Sequence, residues 1–424
     1  MNNPFYQAFL AILEEELVPA LGCTEPIAIA YAAAKAKELL GCFPEQALLE
    51  CSGNIIKNVN SVTVPNSGGL TGLRASLLAG LVGGVAREEL QVLASMTAAH
   101  SERVRRLLLS DFGQVRLLPT DISLHLVVKL TAKQERVTVE IKHRHLDITL
   151  IEKNGRILFQ ADQGSQAGDT GGDRSWLTVK NIYEFSNSVS LDPVRSLLDR
   201  QISCNLAIAE EGLRSHYGVG IGRTILELGQ DEAVKSKMKA YAAAASEARM
   251  SGCGLPVVTN SGSGNQGIAA SVPVIIYARE HKLTKDQLYR GLLFSNLLTI
   301  HQKTLIGRLS AFCGAVSAAC SSGAALTYLA GGSLEQIGQT ITNMLANVAG
   351  IVCDGAKPSC AAKIASCLDA AYLAHVLAMK GRNYPGGTGI VKDGVEETIA
   401  AVGRMACRGM RQTDREILAI MLEA

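Results

Sequence analysis

The residues with the clearest chemical potential are cysteines that stand at breaks in the helical pattern. Five of the eleven cysteines lie beside a glycine or proline or at a predicted helix end: Cys23, Cys253, Cys313, Cys353 and Cys360. No two of them have the C-x2-C spacing of a zinc ribbon or a ferredoxin run. Scattered thiolates can still converge in the folded chain. Three of them would hold a cubane 4Fe-4S cluster and leave its fourth iron open as a Lewis acid, whereas a cluster with four cysteine ligands usually carries electrons.

A glycine-rich stretch, "TNSGSGNQG" at 259–267, is a candidate substrate-binding loop. Its three glycines let the backbone approach a ligand, and its polar side chains supply hydrogen bonds: Asn260, Ser261, Ser263, Asn265 and Gln266. Such a loop at the start of a helix forms an anion-binding nest. The alternative is a plain loop at a helix end. The stretch matches neither of the glycine-rich nucleotide-binding motifs, so nucleotide binding is poorly supported.

Several ionisable side chains stand in polar or glycine-bounded stretches and are candidates for a general base or a carboxylate clamp. They are Lys57, His301 and Lys303, followed by Glu25, Asp354 and Lys357. For each of them the alternative is a surface or capping residue. His143 and His145 alternate with Arg144 in a predicted strand, so we expect both histidines on a solvated face.

Composition limits the classes of protein that the chain can be. Its 41 basic and 39 acidic residues give a net charge of +2, which does not indicate a nucleic-acid-binding protein. Residues 254–278 carry no charge, but their polar centre argues against a membrane span. The first twenty residues lack the basic region of a signal peptide, and eleven cysteines suit a reducing compartment. We therefore expect a cytoplasmic protein, and by base rate a homodimer.

The period of the apolar residues predicts an α+β fold. Residues 5–40 are predicted to form two helices with a break at "LGCTEP", and 48–72 a strand, a loop, a short strand and a glycine turn. From residue 116 the period changes to two, with a hairpin turn at Asn154-Gly155. Residues 161–173 are predicted to be a mobile loop between domains or over the site. After residue 178 the pattern is almost entirely helical.

This pattern divides the chain into three parts. The predicted parts are N-terminal helices at 1–40, a smaller α+β domain at 41–177 and a helical domain at 178–424. The candidate residues described above are spread over all three parts.

Five stretches together resemble the L-cysteine desulfidase family. They are "LVPALGCTEPIAIA", "NIIKNVNSVTVPNSGGLTG", "TNSGSGNQGI", "RLSAFCGAVSAA" and "GIVCDGAKPSC". The resemblance runs from about residue 10 to 415 and keeps the order of the motifs. That family is related to the iron–sulfur L-serine dehydratases, whose catalytic subunit shares the helical part. The resemblance therefore implies a mostly helical catalytic domain like the alpha domain of those dehydratases.

The resemblance also implies an activity and a cofactor. The family converts L-cysteine to pyruvate, ammonia and sulfide with an oxygen-sensitive 4Fe-4S cluster and without pyridoxal phosphate. Its cluster ligands match Cys23, Cys313 and Cys353, and the resemblance leaves open whether Cys360 substitutes or assists. The substrate carboxylate is expected in the glycine-rich loop. No family residue matches the general base, so Lys57, His301 and Lys303 stay candidates by residue type alone.

Other functions stay open at this point. The same scaffold and cluster would serve an L-serine dehydratase or a lyase for another β-substituted amino acid, although a soft iron favours a thiolate leaving group. A pyridoxal-phosphate lyase would need a Schiff-base lysine and a phosphate nest, and only Lys57 near the glycine turn at 67–72 is a formal candidate. A sensor of a metal or an amino acid would bind its ligand without forming pyruvate.

Overall fold

The spacing of the apolar residues changes along the chain, and the structure changes with it, from mixed helix and strand in the first part to helix in the second. A computed structural model describes residues 4–161, 172–229 and 234–423, and these form a mostly helical α+β fold, as the sequence predicts. The loop predicted at 161–173 lies almost wholly outside the described residues, so its mobility stays a prediction.

The first part of the chain contains both helices and strands. The helices there are α1 Pro4–Glu16, α2 Thr24–Leu40, α3 Gly53–Val59, α4 Gly72–Gly83 and α5 Ala98–Leu108. The strands are β1 Pro19–Leu21, β2 Gln46–Cys51, β3 Gln114–Leu117, β4 His125–Ala132, β5 Glu135–Lys142, β6 Ile148–Lys153 and β7 Arg156–Gln160.

The second part is helical apart from one short strand. It comprises α6 Val179–Ser188, α7 Asp192–Arg214, α8 Ile221–Leu228, α9 Val234–Met250, β8 Pro256–Val258, α10 Gly264–Glu280, α11 Lys285–Ile306, α12 Gly314–Leu329, α13 Leu334–Asn347, α14 Cys360–Met379, α15 Val395–Arg404 and α16 Arg411–Glu423.

A six-stranded sheet forms the core of the first part. Its strand order is β3-β2-β4-β5-β6-β7, in which β2 and β3 run parallel and every other neighbouring pair runs antiparallel. The alternating side chains of β4 and β5 place Leu126, Val128 and Val139 against α2 and α4. The turn at Asn154-Gly155 joins β6 to β7, as predicted.

The first two helices pack on different bodies. Phe9 of α1 contacts the ring of Phe185 in the helical core, whereas Ala28 and Ile29 of α2 belong to the core of the sheet. The predicted loop after β2 is wrong, because residues 53–59 form α3. The division at 1–40, 41–177 and 178–424 stays a prediction.

Small side chains allow the helices of the second part to approach closely. Helices α9, α10, α12 and α14 pack together through alanine-rich faces, such as Ala242–Ala245 of α9. Among the described residues, α14 alone is long and apolar enough to span a membrane by length and composition. It packs against α9, α12 and α13 of the same chain, as a core helix does.

Two short β contacts bring distant segments together. Strands β1 and β8 pair antiparallel, with Pro19 opposite Val258 and Leu21 opposite Pro256. An isolated bridge joins Phe312 to Val352. The first contact places "LGCTEP" beside the glycine-rich loop, and the second places the segment before α12 beside "VCDGAK". These two contacts assemble the candidate site.

Candidate active site

Four helices begin at one pocket, and three of them begin with a thiol. Cys23 precedes α2, Cys313 precedes α12, and Cys360 is the first residue of α14. Ser263 occupies the corresponding position before α10. The first turn of a helix has unpaired backbone N–H groups and a partial positive charge, which stabilise anions. The pocket is therefore suited to thiolates and to anionic ligands.

The fourth thiol, Cys353, is positioned by the backbone. Cys313 donates its N–H to the carbonyl of Ile351 at 2.8 Å, and Cys353 donates to that of Ala311 at 2.7 Å. A hydrogen bond between the Cys313 and Cys353 thiols lowers the pKa of Cys353 and raises the pKa of Cys313. The turn that follows needs Gly355, because its φ is +97° and a Cβ there would lie 2.4 Å from the carbonyl oxygen of Lys57.

Of the five thiols singled out in the sequence, Cys23, Cys313, Cys353 and Cys360 line this pocket, whereas Cys253 does not. In the described part of the chain, no three His, Cys, Asp or Glu side chains stand close enough to share a single metal ion. The ligands of a cubane bind different irons and are spaced more widely than the ligands of one ion. Soft thiolates are also the ligands that iron–sulfur clusters take. The donor type is therefore the one that an iron–sulfur cluster takes.

Glu25 anchors the wall beside Cys23. The Cys23 thiol donates to Glu25 Oε2 at 2.9 Å, and Asn58 Nδ2 donates to Glu25 Oε1 at 3.0 Å. His145 Nε2 lies 3.9 Å from Glu25 Oε1. Burial alone would raise the pKa of the Glu25 carboxyl, but the imidazole of His145 and the Cys23 thiol outweigh it and hold that pKa at about 2.

The expectation for His145 was wrong. His143 is exposed, but His145 is 5% exposed and lines the pocket. The two residues lie in the connection between β5 and β6, where the chain leaves the sheet, so the period of a strand does not apply to them. His145 Nε2 has no hydrogen-bond partner among the described residues.

The glycine-rich loop contributes four of its five predicted residues to the pocket wall. The residues that line it are Ser261, Ser263, Asn265 and Gln266. Asn260 lies behind them, fully buried, and donates to the carbonyl and side-chain oxygens of Asn296. Its role is to hold the loop on α11. Thr24 fixes the other side of the loop, because its hydroxyl donates to the carbonyl of Gly262 at 2.9 Å.

Only one of the three predicted bases lines the pocket. This base is Lys303, and burial lowers the pKa of its amine to about 8. Lys57 is directed away from the pocket, where its amine pairs with Asp414 and contacts the carbonyl of Cys353 at 3.4 Å. His301 Nε2 contacts Glu396 Oε2 at 2.8 Å, also outside the pocket lining.

Two arginines of the pocket wall were missed in the sequence. Arg249 and Arg308 both line the pocket, and Arg249 is fully buried. Arg249 could have been noticed in the sequence, because it stands near the end of the alanine-rich stretch "AYAAAASEARM", where a charged side chain is conspicuous among small apolar residues. Arg308 had no such signal. It reaches the pocket because Glu16 at the end of α1 binds its guanidinium at 2.6 Å.

These features define a class of protein, one in which a small-residue helical domain gathers four thiols and an anion-binding loop around one pocket. Residues 77–419 match the family model described as serine dehydratase alpha chain. The chain belongs to that family, and its mostly helical α+β fold agrees with the alpha-chain domain.

The relatives span the whole length of the chain. A protein of Treponema denticola named UPF0597 protein is 48% identical over 428 residues, which cover 100% of this chain and 99% of the relative. A second UPF0597 protein, from Lachnoclostridium phytofermentans, is 49% identical over 417 residues, which cover 98% of this chain and all of the relative. A third, from Shewanella sp. strain MR-7, is 38% identical over 431 residues.

Proposed function

We propose that this protein is an L-cysteine desulfidase, a carbon–sulfur lyase that releases sulfide from L-cysteine with a 4Fe-4S cluster. The observation that carries the proposal is the convergence of Cys23, Cys313, Cys353 and Cys360 on one pocket, three of them at helix N-termini. Membership of the serine dehydratase alpha chain family supports elimination chemistry at an amino acid.

The thiols of Cys313, Cys353 and Cys360 act on one another electrostatically and come from adjoining segments, whereas Cys23 faces them from the wall that carries Glu25. Three of the four would hold the cluster. When bound, an iron without a protein ligand supplies a Lewis acid that favours departure of sulfur from the β-carbon.

The remaining groups of the pocket position the substrate. The Glu25 carboxylate, held by Cys23 and Asn58, suits the α-ammonium group. The glycine-rich loop offers the first N–H groups of α10 to the carboxylate. These contacts hold the Cα–H bond in one orientation and exclude water, so that a base can reach its proton.

Lys303 is the base that the geometry favours, because it is the one predicted base on the pocket wall. Its amine accepts the α-proton as the C–S bond breaks, which leaves aminoacrylate. Aminoacrylate tautomerises to an imine, and water converts that imine to pyruvate and ammonia. L-Cysteine and one water thus give pyruvate, ammonia and hydrogen sulfide, without any oxidant or reductant.

The test is anaerobic. The protein is reconstituted with iron and sulfide, freed of excess reagents, and assayed for sulfide and pyruvate from L-cysteine. Equal amounts of the two products, lost in Cys353→Ala and retained in Cys367→Ala, would support the proposal. Cys367 is a matched control, because it is buried in α14 but does not line the pocket. Sulfide without pyruvate, or activity that survives in Cys353→Ala, would contradict it.

A second candidate is an L-serine dehydratase, which the name of the matching family favours. The same pocket would then expel water or hydroxide from the β-carbon in place of sulfide. Iron as a soft acid favours hydrosulfide over hydroxide as the leaving group. Pyruvate from L-serine and none from L-cysteine would establish the dehydratase, whereas ligand binding without pyruvate from either would indicate a sensor.

A further inference from the structure

The charge of Arg249 is not balanced by any side chain in contact with it. Arg249 lies at the end of α9, is 2% exposed and lines the pocket. Its Nη1 donates to Asn265 Oδ1 at 3.1 Å, a neutral acceptor. Its Nε has no hydrogen-bond partner among the described residues. A buried cation in such surroundings is costly unless an anion reaches it.

The backbone at Gly264 leaves the space that this guanidinium occupies. A Cβ on Gly264 would lie 2.3 Å from Arg249 Nε and 2.7 Å from its Cζ, so only glycine fits there. The guanidinium therefore lies directly against the first residue of α10. Asn265 Oδ1 also accepts from the hydroxyl of Ser246 at 3.1 Å, which fixes the amide that orients Arg249. The arginine and the start of α10 thus form one donor surface.

The other arginine of the pocket is different. Arg308 Nη2 lies 2.6 Å from Glu16 Oε1 and 3.6 Å from Glu15 Oε1, so its charge is already compensated. Arg249 has no carboxylate oxygen within 4 Å among the described residues. Glu25 acts on it only through space, without a hydrogen bond to the guanidinium.

We propose that Arg249 binds the α-carboxylate of the substrate and so restricts the pocket to amino acids with a free carboxylate. The planar fork of a guanidinium matches the two oxygens of a carboxylate, which a point charge does not. Glu25, which also lines the pocket, suits the ammonium group, so the two side chains together match a zwitterion. This inference rests on the proposed function, because it names the substrate class of that same pocket.

A different role for the same cation is to balance the charge of the thiolates. Cys23 and Cys360 both act electrostatically on Arg249. Loss of a charge-balancing arginine would lower the iron content and weaken all ligands alike. Loss of a carboxylate anchor would weaken only ligands that carry a carboxylate.

The experiment is calorimetric titration of the anaerobically reconstituted protein with L-alanine and with L-alaninamide. Both have the amino group and the α-carbon, but only L-alanine has the carboxylate, and neither has a leaving group that would allow turnover. We expect the wild-type protein to bind L-alanine about 10- to 100-fold more tightly, the range for hydrogen bonds to a charged group. Arg249→Gln reduces this preference to what the backbone N–H groups of α10 supply alone, at unchanged iron content.

Two further variants keep the test decisive. Arg249→Lys retains the charge but not the fork, and we expect an intermediate preference. Arg308→Gln is the matched control, and we expect the wild-type preference there, because its charge is already paired. If Arg249→Gln does not fold, the wild-type protein and Arg249→Lys still decide the matter.

The contrary results are distinct. A wild-type protein without the preference, an Arg249→Lys variant with the full preference, or a preference lost equally in Arg308→Gln would overturn the inference. Equal weakening of both ligands with loss of iron in Arg249→Gln would do so in favour of charge balance. Since alanine is not turned over, the result does not depend on sulfide release. A protein that fails the desulfidase assay but shows the Arg249-dependent preference would refute the proposed function alone.

Discussion

At the scale of single residues, the site depends on thiols placed where the backbone favours their anions. Cys23, Cys313 and Cys360 each stand at a helix N-terminus, and Cys353 is held beside Cys313 by two backbone hydrogen bonds. Burial in apolar surroundings opposes ionisation, and it raises the pKa of the Cys23 and Cys360 thiols. A bound metal reverses this balance, because it takes the thiolate.

Cys360 and Cys367 provide a direct test of which thiols bind the cluster, since both lie on α14 two turns apart. If Cys360 is one of the three cluster ligands, Cys360→Ser should lower the iron content of the reconstituted protein at least severalfold, because serine is a poor ligand for iron in a cluster. Cys367→Ser should leave it unchanged, because Cys367 does not line the pocket. Iron analysis and the visible absorption of the cluster measure both. Full iron in Cys360→Ser would show that the other three thiols suffice.

Lys303 should matter for the chemical step. Lys303→Met removes the amine from the pocket wall but keeps much of the side-chain volume, and we expect kcat to fall about 100-fold or more. KM for L-cysteine should change little, because Lys303 is not assigned a substrate contact. His301→Gln is the control, since His301 contacts Glu396 outside the pocket, and its kcat should stay within a few-fold. A rise in KM at constant kcat for Lys303→Met would instead make Lys303 a binding group.

At the scale of elements, the sequence predicts the fold better than it predicts the bases. Apolar period and turn chemistry correctly predict the two N-terminal helices, the hairpin at Asn154-Gly155 and the helical second part. The short helix α3 was missed because its seven residues give too little periodicity. Lys57 and His301 were indistinguishable from Lys303 by residue type. Which of them reaches the pocket depends on Asp414 and Glu396, far away in the sequence.

The position of the thiols was predictable only in part. Cys23 and Cys313 are 290 residues apart. The pairing of β1 with β8, three residues each, places Cys23 beside the glycine-rich loop, and the single bridge of Phe312 with Val352 places Cys313 beside Cys353. Contacts this short leave no periodic signal. The motifs indicated that these stretches belong together, but the route by which His145 enters the site depends on how the chain leaves β5, which the strand pattern does not contain.

An ion pair and an apolar contact hold the C-terminal helix against α3. Lys57 on α3 is almost fully buried and pairs with Asp414 on α16, while Leu418 packs against Gly53. Asp414→Asn leaves the amine of Lys57 without its carboxylate, and we expect the free energy of unfolding to fall by about 2 kcal/mol, because an unpaired buried charge is costly. Asp369→Asn, which breaks more exposed pairs with Lys235 and Lys239, should cost less than about 0.5 kcal/mol. Urea unfolding measures both, and equal losses would contradict the role of the buried pair.

At the scale of the whole molecule, the pocket lies between two cores that are built differently. The sheet with α2 contributes Cys23, Glu25 and His145 to it, and the helical part contributes the other thiols, Arg249 and Lys303. An ion pair joins the two cores, because Glu15 of α1 binds Arg144 in the connection between β5 and β6 at 2.7 Å. The site is therefore complete only when both parts are folded and docked.

The stability of the molecule should depend on pH through a histidine remote from the pocket. Burial, with a smaller contribution from His281, lowers the pKa of His375 from 6.5 to about 4. Its Nδ1 lies 2.9 Å from the hydroxyl of Thr327, and the rings of Tyr277 and Tyr372 pack beside it. The folded protein thus holds His375 neutral, whereas the unfolded chain protonates it below pH 6.5.

The sign of the effect follows from this difference in proton binding. Above pH 6.5 His375 is neutral in both states, so it adds no pH dependence there. Between pH 6.5 and 4 the unfolded chain binds the extra proton, so the free energy of unfolding falls as the pH falls, by up to about 3 kcal/mol. His375→Asn keeps a polar atom near Thr327 but cannot be protonated. Its thermal midpoint should therefore fall less than that of the wild type over this range, and parallel curves would show that His375 titrates alike in both states.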